Sequence, residues 1–447
     1  MLEVSTPIPC LPGWPLFGNV FALRRDRLGL LLRISHNFGD IGAFRFGPRL
    51  VPLLNSPELV RGVLVDQCST FEKTETVRAL AAPVLGNGVF LSEGEEHRRQ
   101  RKLLAPLFQQ RRVLDYAEMM VDATSRLQAA WQEGETIDLV DEMTRLTLDI
   151  ISKALFGADV AGEERALGEA LTYTFRHFAD AVTNPLRLPQ TWPTPRNRRA
   201  HQALARVNAT IERMIEERRN NNEERNDFLA LLLRTQDAEA TSSLNTRQVR
   251  DEALSLFVAG HETTANALTW CCYLLAQHPE VYARVQAEGD HVLAGRLPTV
   301  ADLPNLPYTL QVFKETLRLY PPVYAFTRRA MSTVQIGQYR IPEGRSVVIS
   351  PYTLHRRAKL FPDPQRFEPE RFTSQNEPQI ARYAYLPFGA GPHTCLGMHF
   401  ALLEGHLVLA TLTQRLTFER ADAHPIKPTP LLTLRPEGAI RMKIRRR

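Results

Sequence analysis

The segment Phe388-Gly389-Ala390-Gly391-Pro392-His393-Thr394-Cys395-Leu396-Gly397 constrains this chain more than any other, because it sets a single cysteine among glycines just ahead of an apolar run through Phe400, Leu403 and Leu407. The glycines permit tight turns and a close backbone approach that a Cβ would block. The apolar run has helical spacing, so a helix dipole points at the sulfur and favours its anionic form. Phe388 is placed to cover the sulfur and keep water from it. A buried small hydrophobe in a glycine-rich turn is the plainer reading of a lone cysteine, so the other motifs must decide.

Most of the remaining chain carries apolar residues at helical spacing, as in Leu103, Leu104, Leu107, then Met143, Leu146, Ile150, then Leu306, Leu310, Phe313, Leu317. Alternating or β-branched runs over Ile41 to Phe46, Leu50 to Leu54, Val334 to Ile341 and Ser346 to Ile349 predict short strands near both ends. The fold class is therefore mainly α with a small β portion; the length would allow about three domains and does not exclude a single large domain over 1–447. Its parts are a strand-rich N-terminal region at about 35–60, a helical core at about 95–320 and the cysteine loop at 388–397. Pro185 to Arg199 reads as a proline-punctuated loop, and Glu216 to Asp227 as a charged, Asn-rich one. The opening Pro7 to Pro15 reads as a stiff extended entry.

Composition narrows the classes. A hydrophobic content of 44% and a charged content of 23% over 447 residues leave room for one large core. Five cysteines without a C-x-x-C pair form neither a zinc nor a disulfide framework, which points to a reducing compartment. Adjacent Cys271 and Cys272 face different sides of a helix and read as core. No run approaches the ~20 apolar residues of a membrane span, and the amino terminus lacks a signal-peptide layout; no membrane span, and a soluble, cytoplasmic protein, are expected. The arginines behind the net charge of +6 are dispersed and lack interleaved aromatics, so nucleic-acid binding is not expected.

Three further motifs carry chemistry. Ala259-Gly260-His261-Glu262-Thr263-Thr264 lies inside a helix from about 246 to 278. Gly260 weakens that helix and Thr263 can bond back to the preceding turn, which predicts a local widening and a groove. A zincin reading of His-Glu-Thr-Thr fails because Ala265 stands where the second histidine is required. Glu315-Thr316-Leu317-Arg318 puts opposite charges on one helix face, with Pro369-Glu370-Arg371-Phe372 further on. Gly94 to Arg101 leads into Leu103 and Leu104 with His97 and Arg101 on one side of a helix and with Arg98, Arg99 and Lys102 reading as a solvated face.

Taken with F-x-x-G-x-H-x-C-x-G at 388–397, these motifs in this order resemble the cytochrome P-450 superfamily, in its eukaryote-like subgroup also found in bacteria. The resemblance runs from Pro12-Gly13 to Leu434-Arg435-Pro436 and is most specific in the last two hundred or so residues. It implies a triangular, mainly helical fold holding haem b between the Gly260 helix and the Cys395 helix, with Cys395 as the axial iron ligand. Phe388, Gly389 and Gly397 would shape the ligand loop. His393 would face a haem propionate. His97, which stands where the family commonly has tryptophan, would do the same with Arg101 and Arg328; neighbouring Arg329 leaves the last assignment open. Glu315, Arg318 and Arg371 would form a buried structural network, and Glu262 and Thr263 would steer protons and water to dioxygen.

The resemblance implies a monooxygenase that inserts one atom of O2 into a C–H or C=C bond of a lipophilic substrate, a terpenoid, fatty acid, steroid or retinoid-like molecule. Val258, Ala259, Gly260, Ala325, Phe326 and Leu431 would line the pocket. The stretch from Lys73 to Phe90 would cap it, with Arg78 either gripping a substrate carboxylate or, the favoured reading, turned to solvent. Electrons, ultimately from NAD(P)H, would come from a separate ferredoxin with its reductase or from a flavodoxin, docking on a basic face that includes Arg98, Arg99, Arg356 and Arg357. Arg445 to Arg447 reads as a solvated tail, and the protein is expected to be a monomer. A haem-thiolate peroxygenase or isomerase is the alternative within the class, and a haem-binding sensor or electron carrier the alternative outside it.

Overall fold

The computed structural model describes residues 6–157, 164–183, 192–220, 228–237 and 246–447. Helices α1 (Val20–Arg25) and α2 (Arg27–Phe38) lead into a hairpin of β1 (Ile41–Phe46) and β2 (Arg49–Leu54), in which Ile41 faces Leu54 and Phe46 faces Arg49. The side chain of Asp26 starts α2 by accepting the Gly29 N–H at 2.8 Å, an ordinary N-cap. Next come β3 (Phe71–Glu72), α3 (Glu75–Leu85) and α4 (Gly94–Leu104), then α5 (Leu139–Phe156), α6 (Glu164–Thr183) and α7 (Pro195–Asn220). The expected loops are therefore largely helical where they are described: 195–199 opens α7 and 216–220 closes it, while 185–191 and 221–227 lie outside the described residues. Alanines and i, i+4 neighbours along α7 outweigh its charges, which a solvated helix face accommodates.

The long helix α8 (Thr246–Gln277) is followed by α9 (Pro307–Leu319), β4 (Phe326–Ala330), β5 (Ser346–Ile349) and α10 (Met398–Arg415). β5 is hydrogen-bonded into the first sheet, in the order β1, β2, β5, β4, β3, so the N-terminal hairpin is extended by strands from more than 250 residues further on. Leu53 lies parallel to Val348, and Phe326 antiparallel to Ile349. The expected strand over 334–341 is a hairpin, Val334–Ile336 with Tyr339–Ile341. A three-stranded sheet places Arg441–Arg446 between Thr136–Asp138 and Leu416–Arg420. Arg445 and Arg447 are thus not a solvated tail: Arg445 pairs with Glu419 at 2.8 Å and Arg447 with Asp290 at 2.7 Å.

The core sits around α8, which is buried on nearly every side. Trp270 is fully buried, stacks on Tyr320 with ring centroids 4.0 Å apart, and donates its indole N–H to the Leu434 carbonyl at 3.1 Å. A Cβ at Gly260 would come within 2.6 Å of Ile151 Cδ1 on α5. Gly260 therefore allows two helices to approach closely. α8 is helical throughout, so the motif does not widen it into a groove.

Candidate cofactor and active site

The cysteine loop is shaped by its own backbone. A 3₁₀ turn at Gly391–His393 precedes Cys395, and the Cys395 N–H donates to the Phe388 carbonyl at 2.9 Å. Gly391 has φ +70°, and a Cβ there would meet the Leu64 carbonyl oxygen at 1.9 Å, so only glycine fits. α10 begins at Met398 with Gly397 as its cap. Burial pushes the Cys395 thiol up, while the Gly397 N–H and the Arg101 guanidinium work to bring it down. Cys395 is exposed by area yet deeply enclosed by protein, so its sulfur opens onto an interior space, not onto bulk solvent.

One face of α8 has the same character. From Asp251 to Leu275 every residue is buried except Leu256, Ala259, Gly260 and Thr263, which recur at helical spacing and form one open stripe. Of these, Ala259 and Gly260 are expected pocket residues and Thr263 an expected proton-steering one. Val258 is instead 2% exposed and packed in the core, and Leu256 takes its place on the stripe. The Thr263 hydroxyl donates to the Ala259 carbonyl at 2.8 Å, as the sequence suggested. Ala325, Phe326 and Leu431 are half-buried, and the Tyr324 hydroxyl ties the last two regions together through a 3.1 Å bond to the Leu431 carbonyl.

Glu262 points elsewhere. Its buried carboxylate accepts from Arg435 Nε at 2.5 Å and from a second Arg435 nitrogen, from the Thr433 hydroxyl at 2.6 Å and from Asn266 Nδ2 at 3.3 Å. Burial opposes ionisation, but Arg435 outweighs it and holds the carboxyl below its ordinary range. Neither Arg435 nor Thr433 was singled out from sequence, because nothing in their spacing signals that they meet α8.

On the loop side a cluster of titratable groups gathers. His97 is buried and stacks on His393, ring centroids 4.0 Å apart. Burial, and then His393, push His97 down to about 4. Lys73 Nζ reaches His393 Nδ1 at 3.1 Å, Glu93 at 3.1 Å and the Ser92 carbonyl at 3.0 Å. Lysine can only donate, so Nδ1 accepts and His393 carries its proton on Nε2, which faces Glu93 at 3.3 Å. Burial brings Lys73 down to about 8. Burial also works against Glu93, yet His393 and Lys73 hold it at about 2. Both His393 nitrogens therefore meet protein partners, and the His97 ring lies against His393.

Two arginines with no carboxylate partner among the described residues differ from these. Arg101 Nη1 donates to the Thr394 carbonyl at 2.7 Å, one residue before the cysteine. Arg328 donates Nη1 to its neighbour's carbonyl at 2.9 Å and stacks over Phe326. Arg329 turns away to Glu75 on α3. Arg78 is exposed and lies 3.9 Å from Glu72.

Beneath the loop, Glu315 and Arg318 are fully buried and paired twice, at 2.7 Å each. Arg318 also donates to the carbonyls of His355, Pro364 and Arg366. Glu315 accepts the Glu368 N–H at 2.9 Å and lies 3.4 Å from Arg371 Nε. His355, which sequence reading missed, bridges this network to the loop: its Nδ1 bonds the Arg318 carbonyl and its Nε2 accepts the Leu386 N–H at 2.8 Å. Of the arginines expected on a docking face, Arg356 is buried against Tyr352 and Arg357 pairs with Asp40 at 2.6 Å. Both leave that face because their carbonyl and carboxylate partners hold them against the fold. Arg98 is exposed on α4, beside Lys102.

These residues fit a flat iron cofactor: one enclosed sulfur receives a backbone N–H, two arginines stand on its loop side, and no cluster among the described residues could hold a bare metal ion. A cytochrome P-450 family profile matches residues 8–443. Over 432 residues the chain is 38% identical to cyclooctatin synthase of Streptomyces melanosporofaciens, covering 96% of this chain and 94% of that one. It is 37% identical to cyclooctat-9-en-7-ol 5-monooxygenase of the same organism, covering 90% and 87%. Pentalenene oxygenase of Streptomyces avermitilis is 32% identical, covering 96% and 95%. The crystal structure of the cytochrome P450DA heme domain superposes with a TM-score of 0.90 at 27% identity, covering 99% of this chain and 98% of that one.

Proposed function

The chain belongs to the cytochrome P-450 family, and from that premise we propose that it hydroxylates a cyclic terpenoid, with electrons delivered by a separate ferredoxin or flavodoxin. It is an oxidoreductase of the monooxygenase type. The observation that carries the substrate reading is the open stripe of Leu256, Ala259, Gly260 and Thr263 in an otherwise buried helix. Three of its four side chains are apolar or absent, so a rigid hydrocarbon would be recognised by shape, with Thr263 the only polar group on that face. Names of terpenoid-oxidising relatives agree with it.

Haem b, when bound, would supply reductive activation of O2, with two electrons and two protons consumed for each alcohol and water formed. Cys395 would hold the iron, with its sulfur supported by the Gly397 N–H. Arg101 and Arg328 are the donors best placed for haem carboxylates, while Lys73, Glu93, His393 and His97 would brace the loop. Thr263 would hold a proton near the reacting face, its hydroxyl fixed by the Ala259 carbonyl. Glu262 would take part only after release from Arg435. Exposed Arg98, Lys102, Arg111 and Arg112, on and just after α4, form the basic surface an acidic electron donor would meet.

The test is turnover with a surrogate ferredoxin system on a panel of cyclic diterpene and sesquiterpene hydrocarbons and alcohols under labelled dioxygen. One labelled oxygen in the product, with Cys395→Ser losing the thiolate band of the reduced carbon-monoxide spectrum, is the expected result. Oxidation of fatty acids in preference to every terpenoid would overturn the substrate class.

A further inference from the structure

The open stripe of α8 has a covered end. Glu252, Leu256, Ala259 and Thr263 follow one another at i, i+4, i+7 and i+11, so Glu252 is the next side chain on that face. It is fully buried where the other three are open. What lies on it is the backbone just after α3, the end of the stretch expected to cap the pocket.

That backbone is latched to α8 at successive points. The Leu85 carbonyl accepts from the Ser255 hydroxyl, the Asn87 N–H donates to Asp251 Oδ2 at 3.0 Å, and the Val89 N–H is shared by both Glu252 oxygens, at 3.0 and 2.9 Å. Gln100 on α4 also donates to the Asn87 carbonyl, at 3.4 Å. Two glycines allow the approach. A Cβ at Gly86, whose φ is +65°, would come within 2.7 Å of Asp251, and one at Gly88 would meet Glu252 Oε2 at 2.7 Å and Ser255 Oγ at 2.8 Å.

The charges around Glu252 do not suit a buried carboxylate. Asp251 beside it and Glu96 on α4 are both acids. Arg250 lies 3.5 Å from Asp251 and pairs with Glu212 on α7 at 2.9 Å, and no cation among the described residues pairs with Glu252. Burial first, and then the two acids, favour the neutral form and push the carboxyl up to about 7. A neutral carboxyl still accepts the Val89 N–H through its carbonyl oxygen. Once residues 85–89 lift, the same group opens to the pocket, regains water and ionises in the ordinary carboxylate range.

We propose that Glu252 is the positioning residue that holds the pocket cap on α8, and that the cap closes with uptake of one proton by this side chain. A group that binds its proton more tightly in the closed state favours closure in acid, and that advantage is lost as pH rises from the carboxylate range to about 7. A substrate that requires the closed cap is then held more firmly below neutral pH and released more readily above it. The inference rests on the stripe being a pocket wall, whichever lipophile enters, so its test needs no substrate.

The haem-loaded full chain is followed by amide hydrogen exchange from about pH 5 to pH 8, with rates corrected for the intrinsic pH dependence of exchange. Protection over 85–89 is expected to fall as pH rises toward 7, by up to about tenfold per pH unit, and to level off above it, while the β1–β2 hairpin keeps its own. Glu252→Gln is expected to hold protection over 85–89 at one level throughout. Gly88→Ala, whose methyl would press on Glu252 and Ser255, is expected to lower it at every pH. Protection over 85–89 that is flat with pH in the wild type, a Glu252→Gln variant that keeps the wild-type pH course, or a loss shared equally by the β1–β2 hairpin each overturns the proposal.

Discussion

Arg435 grips the Glu262 carboxylate with two guanidinium nitrogens, in a site where both side chains are nearly inaccessible. With Thr433 and Asn266 also donating, the acid expected to move protons is held by four hydrogen bonds. Arg435→Met leaves a buried carboxylate without its counter-charge, a change that costs about 3 kcal/mol or more. The sign with pH follows from the direction of the shift. A carboxyl held below its ordinary range adds stability above its unfolded pKa and loses it as pH falls through the folded value. Thermal unfolding of wild type and Arg435→Met is expected to show their largest gap near neutral pH and convergence in acid. Equal melting temperatures at neutral pH would mean that Arg435 does not support Glu262.

Glu252 behaves in the opposite sense. It is fully buried on α8 and accepts the Val89 N–H with both oxygens, at 3.0 and 2.9 Å, while Asp251 accepts the Asn87 N–H at 3.0 Å. Burial is the main reason its carboxyl is pushed up to about 7, with Asp251 and Glu96 adding to the effect. A raised acid costs stability as pH climbs from the unfolded value through the folded one. The gap between Glu252→Gln and wild type is therefore expected to move in favour of the variant between about pH 5 and pH 8, by up to about 3 kcal/mol. A gap independent of pH, measured by denaturant unfolding, would show that Glu252 does not titrate there.

The Glu315–Arg318 pair supports the cysteine loop from below, through Arg318 on the His355 carbonyl and His355 on the Leu386 N–H. Removing either charge leaves the other buried without its main partner, at a cost of about 3–5 kcal/mol. Glu315→Ala and Arg318→Ala are expected to purify with little haem, read as the ratio of Soret to protein absorbance. Normal haem content in either variant would separate this network from the cofactor.

Much of this was legible in the sequence where one local rule applied. The strands at 41–46 and 346–349 announced themselves by composition, and Glu315 with Arg318 by helical spacing. What stayed hidden needed contacts between distant segments. Arg435 meets Glu262 from 173 residues away and Lys73 meets His393 from 320, with no spacing to betray either. Val258 and Leu256 are both apolar, and only the orientation of α8 decides which one faces the open stripe. Arg356 and Arg357 misled for the same reason, since a basic dipeptide carries no record of the carbonyls and the aspartate that claim it.

Thr263 is the polar side chain on that stripe, and its hydroxyl donates to the Ala259 carbonyl at 2.8 Å. The bond leaves the oxygen's lone pairs facing the open side, where they can accept from water or from a protonated oxygen species. Thr263→Ala removes the hydroxyl and leaves the helix intact, since alanine is the better helix former. A positioned group in proton transfer contributes about a hundredfold or more to such steps, so product formed per reductant consumed is expected to fall several-fold while hydrogen peroxide rises. The affinity for substrate, read from the spin-state shift, should change little because no apolar contact is lost beyond one methyl. Coupling equal to wild type, with the same peroxide yield, would take Thr263 out of the proton route and leave the hydroxyl as a helix back-bond only.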